Sequence, residues 1–184
     1  MSKTIFFPIV LSLLLAWFSG AGGADLSKFD QPLLITSSGQ SAEVQLASVL
    51  AKRAGLDASV VKTAGPSDLQ GRKTLVLVLG ASLKGLGAAG IDAAQEKERV
   101  KLLITAAQNQ NIPILCMHLG GEARRGQLTD QLIEEFLPSG QMAIIVKSGN
   151  KDGIFSIICT KHNIPLVEVD RTADALTPFK NAFN

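Results

Sequence analysis

The stretches Thr74 to Leu79, TLVLVL, and Met142 to Val146, MAIIV, decide the fold of this 184-residue chain. Neither stretch alternates between apolar and polar residues, so both faces of each strand have to be covered by other parts of the protein. Strands of this kind occur in parallel sheets that carry helices on both sides. Two more apolar stretches, Pro32 to Thr36 (PLLIT) and Pro113 to His118 (PILCMH), fit the same description. The sequence therefore predicts an α/β fold with a mostly parallel sheet.

Segments with helical periodicity separate these strands. The predicted helices are Ser41 to Ala54, about Ala93 to Gln110, Thr129 to Leu137, Gly153 to His162 and a short helix that starts at Thr177. Shorter strands are predicted at Ala58 to Lys62 and Pro165 to Val169, and the glycine-rich segment after Leu79 is expected to be a loop. Strands that alternate with helices imply right-handed crossovers. We expect one three-layer domain at residues 25–184, with about five to six strands in the sheet.

The first 24 residues have the three parts of a secretory signal peptide. Lys3 precedes an apolar run from Ile5 to Phe18, and small residues follow as far as Ala24. The apolar run is shorter than the ~20 residues that are needed to cross a bilayer. Cleavage after Gly23 or Ala24 would release a periplasmic or secreted protein that keeps no stable membrane anchor. An uncleaved anchor is the alternative.

Composition and charge exclude several classes of protein. A chain that is 46% hydrophobic is not disordered, and two cysteines do not make a disulfide-dense scaffold. The formal net charge of +2 gives no reason to expect a nucleic-acid partner or adhesion to a membrane surface by charge. Cys116 and Cys159 both lie in apolar segments, where they could pair in an oxidising compartment or remain buried free thiols.

The functional site of an open parallel sheet lies beyond the carboxyl ends of its strands. At that edge the sequence places small hydroxyl residues, glycines and a few cations, which suits an anionic ligand. The candidate ligand-binding residues are Ser37, Ser38, Gly39, Ser41, Ser82, His118, Arg124 and Arg125. The two adjacent arginines are flanked by glycines and could close over an anion as a bidentate clamp, the alternative being a solvated loop. Lys147 and Asn150 are weaker candidates of the same kind.

The loop Thr36-Ser37-Ser38-Gly39-Gln40-Ser41, between the first strand and the first helix, resembles the phosphate loop of flavodoxins. The elements that follow, as far as the strand TLVLVL, are also similar to the flavodoxin layout. The resemblance covers roughly the first half of the mature chain and implies a flavodoxin-like fold. It also implies that Thr36, Ser38, Gly39 and Ser41 hold a phosphate or a carboxylate. Helix capping is the alternative role for Ser41.

No cofactor and no metal are expected. Flavodoxins hold their flavin between aromatic side chains, whereas this chain has no tyrosine and its one tryptophan, Trp17, lies in the leader, so flavin mononucleotide is not predicted. The segment Gly85 to Gly90 matches GxGxxG, but it begins several residues after the strand, and no acidic residue ends the next strand. Cys116-Met117-His118 supplies only two metal ligands, and Ser148 to Gly153 resembles only the first half of a calcium loop.

His118 is the candidate for catalysis because it ends a strand at the functional edge. The nearby serines would be Ser37 and Ser38, and the acid would be Glu122 or Asp170. No GxSxG nucleophile elbow occurs in the sequence, which favours a protein that is not an enzyme. The leading hypothesis is an exported protein that binds a small anionic metabolite. The alternatives are a hydrolase or transferase that uses His118 with a nearby serine, and a structural protein that binds a periplasmic or extracellular partner. As a whole, the chain resembles small exported bacterial proteins classified as a domain of unknown function.

Overall fold

The computed structural model describes residues 29–183 as a six-stranded sheet covered by helices, which confirms the α/β prediction. The strands are β1 Leu33–Ser38, β2 Ala58–Val60, β3 Thr74–Leu79, β4 Ile114–His118, β5 Met142–Val146 and β6 Leu166–Val169. Every pair of neighbours is parallel, in the order β2-β1-β3-β4-β5-β6. All residues of the four inner strands are buried, which explains why their sequences do not alternate.

Helices and short 3₁₀ turns connect the strands. The helices are α1 Glu43–Ala54, α2 Leu83–Ala89, α3 Ala93–Asn109, α4 Gln127–Phe136, α5 Ile154–His162 and α6 Leu176–Asn181. The 3₁₀ turns are Pro66–Leu69, Gly121–Arg124, Leu137–Ser139, Lys147–Asn150 and Thr172–Ala175.

The glycine-rich segment after β3 is the helix α2 and not the predicted loop. Glycine costs a helix about 1 kcal/mol relative to alanine, so the local sequence argues against a helix here. Tertiary packing outweighs that cost. Ser82 Oγ caps α2 by accepting a hydrogen bond from Gly85 N at 3.1 Å, and Leu86 is buried. Gly85 lies so close to the preceding loop that a Cβ at this position would be 1.9 Å from the carbonyl oxygen of Gln40.

The sheet separates two hydrophobic layers, because successive side chains of a strand point to opposite faces. On one face α3, α4 and α5 pack against side chains such as Leu77 and Cys116. On the other face α1 and α6 pack against side chains such as Ile35, Val78 and Met117. This arrangement is the predicted three-layer architecture.

The direction in which the chain adds strands reverses at β1, because β2 pairs with one side of β1 and β3 with the other. We call the carboxyl end of this β1–β3 pair the switch point. The connections that leave β1 and β3 diverge there and leave a crevice, which is where open α/β sheets bind ligands. The fold therefore places a candidate site next to the loop that was predicted to bind an anion.

The predicted signal peptide, residues 1–24, lies outside the described residues, and export stays a prediction. No helix between residues 29 and 183 combines the length and the apolar character that a bilayer-spanning segment needs.

Candidate functional site

A cleft of about 500 Å³ opens at the switch point, between the loop after β1, the chain just after β2 and α2. We name it the lysine cleft. The residues that line it are Gln40, Ser41, Ala42, Lys62, Thr63, Ser82, Lys84, Gly85, Ala88 and Ala89. Two of the predicted ligand-binding residues, Ser41 and Ser82, are among them.

Lys62 and Lys84 give the lysine cleft its charge. Both lysines are exposed, and neither has an ion-pair partner among residues 29–183. None of the described residues that line the cleft is acidic. A small anion in the cleft would therefore meet two ammonium groups whose charge no neighbouring carboxylate neutralises.

Gln40 holds the floor of the lysine cleft in place. Its Nε2 donates hydrogen bonds to Lys62 O at 3.0 Å and to Glu96 Oε1 at 3.1 Å. The carboxylate of Glu96 is buried and also accepts hydrogen bonds from Gly39 N at 2.7 Å and from the guanidinium of Arg99. The loop that lines the cleft is thus fixed before any ligand binds, which lowers the entropic cost of binding.

Ser41 and Ser82 line the lysine cleft while serving the helices beside it. Ser41 Oγ accepts a hydrogen bond at 3.3 Å from the N–H of Glu43, the first residue of α1. The N-cap position itself is Ala42, whose side chain cannot cap the helix. Ser82 Oγ accepts the capping bond from Gly85 N. Since a hydroxyl has one donor and two acceptor sites, Ser82 keeps its proton for another acceptor.

Thr36, Ser37, Ser38 and Gly39 of the predicted phosphate loop lie in the folded interior, which corrects their predicted placement. Ser37 and Ser38 are fully buried in β1, and neither hydroxyl has a hydrogen-bond partner among the described residues. Thr36 Oγ1 donates to Lys62 O at 3.1 Å. The N–H of Gly39 donates to Glu96, so the protein's own carboxylate takes the place expected for a ligand anion.

His118 is fully buried at the end of β4 and does not line the lysine cleft. Its Nδ1 lies 2.8 Å from Leu79 O, and its Nε2 lies 3.1 Å from Gly121 O. Its ring packs against Phe155, with 5.3 Å between the ring centroids. Both ring nitrogens face backbone carbonyl oxygens, and no serine hydroxyl in residues 29–183 bonds to them. The structure therefore does not form the predicted pairing of His118 with Ser37 or Ser38.

Glu43 is a second buried carboxylate at the carboxyl edge of the sheet. Its Oε2 accepts hydrogen bonds from the N–H groups of Leu119 at 2.6 Å and Gly120 at 2.7 Å, and it lies 3.8 Å from His118 Nδ1. Gly80 approaches this carboxylate so closely that a Cβ there would be 2.2 Å from Glu43 Oε1. The carboxylate thus joins the end of β3, the end of β4 and the first turn of α1.

Arg124 and Arg125 line a neighbouring cleft of about 410 Å³, which we name the arginine cleft. Its lining residues are Ala81, Leu83, Ala123, Arg124, Arg125, Gly126, Gln127, Leu128 and Thr129. The two arginines are therefore not a clamp over the lysine cleft. Arg124 is exposed and has no ion-pair partner among the described residues.

Arg125 is already neutralised by the protein. Its guanidinium pairs with Asp130 at 2.6 Å and with Asp152 at 2.7 Å, and it also donates to the carbonyl oxygen of Gly149. The hydrogen bond from Arg125 lowers the pKa of Asp152 to about 2, and the same bond raises the pKa of Arg125. Arg125 ties the segment before α4 to the turn before α5, so groups of the protein itself already occupy its guanidinium.

The weaker candidates, Lys147 and Asn150, lie in a third cleft of about 610 Å³. Glu168 and Asp170 line the same cleft, and Asn150 Nδ2 donates to Glu168 Oε1 at 2.8 Å. A cleft with carboxylates and ammonium groups together has no preference for an anion.

The two cysteines are free thiols in the core. Burial, with a smaller contribution from the neighbouring Cys159, raises the pKa of Cys116 to about 12, and burial raises that of Cys159 to about 11. Within the described part of the chain, no group of three or more His, Cys, Asp or Glu side chains is placed to hold a metal ion.

Sequence reasoning missed both lysines of the cleft. Lys62 ends the predicted second strand, and Lys84 lies in the glycine-rich segment that was expected to be a loop. The available signal was topological. In a parallel sheet whose strand order reverses at the first strand, the segment after the third strand faces the loop after the first.

The comparison with solved structures found proteins at low sequence identity. A protein of the G-D-S-L family from Desulfitobacterium hafniense DCB-2, described as lipolytic, has a TM-score of 0.35, 10% identity and 77% coverage of each chain. AlinE4, an SGNH-hydrolase family esterase, has a TM-score of 0.32 and 15% identity over 82% of this chain and 79% of its own. A protein from Bacteroides fragilis described as an acylhydrolase has a TM-score of 0.34 and 11% identity over 79% and 72%. At these identities the named activities belong to those proteins and transfer no function to this chain.

No curated protein matches the sequence. A family model for a domain of unknown function (DUF6305) matches residues 30–183, which is nearly all of the described chain. This match confirms the resemblance that the sequence suggested: the chain belongs to the DUF6305 family, a domain of unknown function.

Proposed function

We propose that this protein binds a small anionic molecule in the lysine cleft, as an exported binding protein. One observation carries the proposal. Lys62 and Lys84 converge on a cleft at the switch point whose described lining contains no carboxylate. Other exposed lysines, such as Lys73, also have no ion-pair partner among the described residues, but Lys62 and Lys84 line the same cleft.

The binding step follows from the way the cleft is built. The backbone carbonyl oxygen of Lys62 accepts two hydrogen bonds, from Thr36 and Gln40, which hold this residue in position. Lys84 is presented by α2, which packs against the carbonyl oxygen of Gln40 at Gly85. The ammonium groups would hold the anion from two sides, and the hydroxyl of Ser82 would donate a hydrogen bond to it.

The expected affinity is modest and dependent on salt. An ion pair at an exposed site contributes about 1 kcal/mol or less, and salt screens it. Within residues 29–183 the cleft belongs to a single sheet, so no second lobe of this part of the chain closes over the ligand and excludes water.

Titration calorimetry at low salt with inorganic phosphate and with citrate tests the proposal. We expect Lys62→Ala and Lys84→Ala each to weaken binding about fivefold, which corresponds to about 1 kcal/mol. The matched control is Lys73→Ala, because Lys73 is an exposed lysine just before the amino end of β3, at the opposite edge of the sheet from the cleft. Equal affinities in the three variants, or no binding of any anion, would overturn the proposal and favour the structural or partner-binding alternative.

A second candidate function, hydrolysis, rests on a single contact. Ser41 lines the lysine cleft, and its Oγ lies 3.4 Å from Glu43 Oε1, where the carboxylate could accept the hydroxyl proton during attack on an ester. The assay is turnover of p-nitrophenyl acetate by the wild type and by Ser41→Ala. Turnover that survives this substitution would exclude Ser41 as the nucleophile, whereas turnover that depends on it would favour the enzyme over the binding protein.

A further inference from the structure

We infer that the lysine cleft is one half of a longer site, which takes an elongated molecule with an acidic group at each end and an apolar chain between them. The inference rests on the proposed function, because it assigns one of the two acidic groups to the lysine cleft. The second acidic group would lie in the arginine cleft.

The two clefts share one wall. Ala81 and Leu83 line the arginine cleft, and Ser82 and Lys84 line the lysine cleft. We call this segment, residues 81–84, the ridge. Four consecutive residues span ~14 Å at most, so a chain molecule of medium length can cross the ridge and reach both clefts.

The ridge is held from both sides. Ala81 N donates to Thr129 Oγ1 in α4 at 3.0 Å, and Ser82 N donates to Gly39 O in the loop after β1 at 2.8 Å. The positions of the two clefts relative to each other are therefore fixed by the fold.

Each side of the ridge carries cations that have no ion-pair partner among residues 29–183. On one side these are Lys62 and Lys84, as described above. On the other side Arg124 is the available cation, because Arg125 is paired with Asp130 and Asp152. None of the described residues that line the arginine cleft is acidic. A guanidinium binds a carboxylate or a phosphate through two parallel hydrogen bonds, so Arg124 suits the second acidic group.

An exposed apolar side chain lies on the ridge and lines the arginine cleft. Leu83 is 79% exposed, the largest exposure among the large hydrophobic side chains of the described chain. A leucine in this position gains from contact with methylene groups, because burying a CH₂ group contributes about 0.8 kcal/mol. Charge at both ends and an apolar centre together match an α,ω-dicarboxylate better than a compact anion.

The experiment is calorimetry with succinate, adipate, suberate and sebacate, and with octanoate as the single-acid counterpart of suberate. We expect affinity to rise from succinate to suberate, because only the longer acids cross the ridge. Arg124→Ala should lower the affinity for suberate about fivefold, to the level of octanoate, and should leave octanoate unchanged. Leu83→Ser should lower the affinity for suberate and for octanoate but not the affinity for succinate. Arg53→Ala is the control, because Arg53 is an exposed arginine near the end of α1 that forms no ion pair within the described part of the chain.

The outcomes separate this inference from the proposed function. If suberate and octanoate bind equally well, or if Arg124→Ala weakens both by the same factor, the elongated site is wrong and binding in the lysine cleft still stands. If none of the acids binds, and phosphate and citrate do not bind either, the proposed function fails and the inference fails with it. Circular dichroism of each variant confirms that these exposed substitutions leave the fold intact.

Discussion

Glu96 Oε1 in α3 accepts a hydrogen bond from the backbone N–H of Gly39 at 2.7 Å, across 57 positions of sequence. Gly39 has a φ of 102°, and a Cβ there would be 2.6 Å from the carbonyl oxygen of Gly80, so the turn after β1 requires glycine. The same oxygen of Glu96 accepts hydrogen bonds from Gln40 and Arg99. One buried carboxylate thus determines the shape of the loop that lines the lysine cleft.

Glu96→Gln should lower the free energy of unfolding by about 3 kcal/mol. The substitution removes the negative charge that compensates the guanidinium of Arg99, and breaking a buried ion pair by changing one partner costs about 3–5 kcal/mol. Urea denaturation measures the change. The control is Glu98→Gln, an exposed glutamate of the same helix, which should change stability by less than ~0.5 kcal/mol. Equal effects of the two substitutions would contradict the role assigned to Glu96.

Two glycines of α2 should respond to alanine in opposite directions. Gly85→Ala places a Cβ 1.9 Å from the carbonyl oxygen of Gln40, which forces α2 away from the loop after β1. We expect it to destabilise the protein and to weaken anion binding. At Gly87 an added Cβ would have no neighbouring atom within 4 Å. Gly87→Ala should therefore stabilise the protein by about 0.5–1 kcal/mol, because alanine has the higher helix propensity. Thermal melting and phosphate titration of the two variants check both directions, and a Gly85→Ala variant that is as stable as Gly87→Ala would show that this packing is not needed.

Asp152 should make part of the stability depend on pH. Its pKa of about 2 in the folded protein lies below the ordinary value of 3.8. Its contribution to the free energy of unfolding is therefore complete above about pH 4 and is lost as the pH falls towards 2. The side chain is 57% exposed, so we expect the ion pair to contribute no more than ~1 kcal/mol to the free energy of unfolding. Asp152→Asn should flatten the decrease in the urea midpoint between about pH 5 and about pH 2.5, whereas Asp57→Asn, an exposed aspartate outside any ion pair of the described chain, should not. An unchanged pH profile in Asp152→Asn would exclude this ion pair as a source of acid sensitivity.

The two cysteines should be unreactive in the folded protein. With pKa values raised to about 12 and about 11, Cys116 and Cys159 carry almost no thiolate at about pH 8, and thiolate is the reactive form. We expect dithiobis-nitrobenzoate to label neither thiol in the native protein and both in guanidinium chloride. Rapid labelling of the native protein would contradict the burial of these residues. Absence of labelling after denaturation would show that they form a disulfide in the purified protein.

The local sequence predicted the strands, the layers and the helices other than α2. Apolar runs such as TLVLVL and MAIIV identify strands that are buried on both faces, because burial on both faces leaves no room for polar alternation. The edge of the sheet that carries the clefts was predicted by the same reasoning. Ser41 and Ser82, which were predicted to bind a ligand, line the lysine cleft, and their role in binding stays a prediction.

Only the tertiary structure decided which residues of that edge are available to a ligand. Lys62 and Lys84 come from segments on either side of β3, and the reversal of strand order at β1 brings them to one cleft. The guanidinium of Arg125, which was predicted to bind an anion, pairs instead with Asp152, 27 positions away. His118 lost its predicted serine partner because two backbone carbonyl oxygens face its ring nitrogens. Periodicity is a property of neighbouring residues and can be predicted from the chain itself, whereas the pairing of a charge or a hydrogen-bond donor depends on which distant segments the fold places beside it.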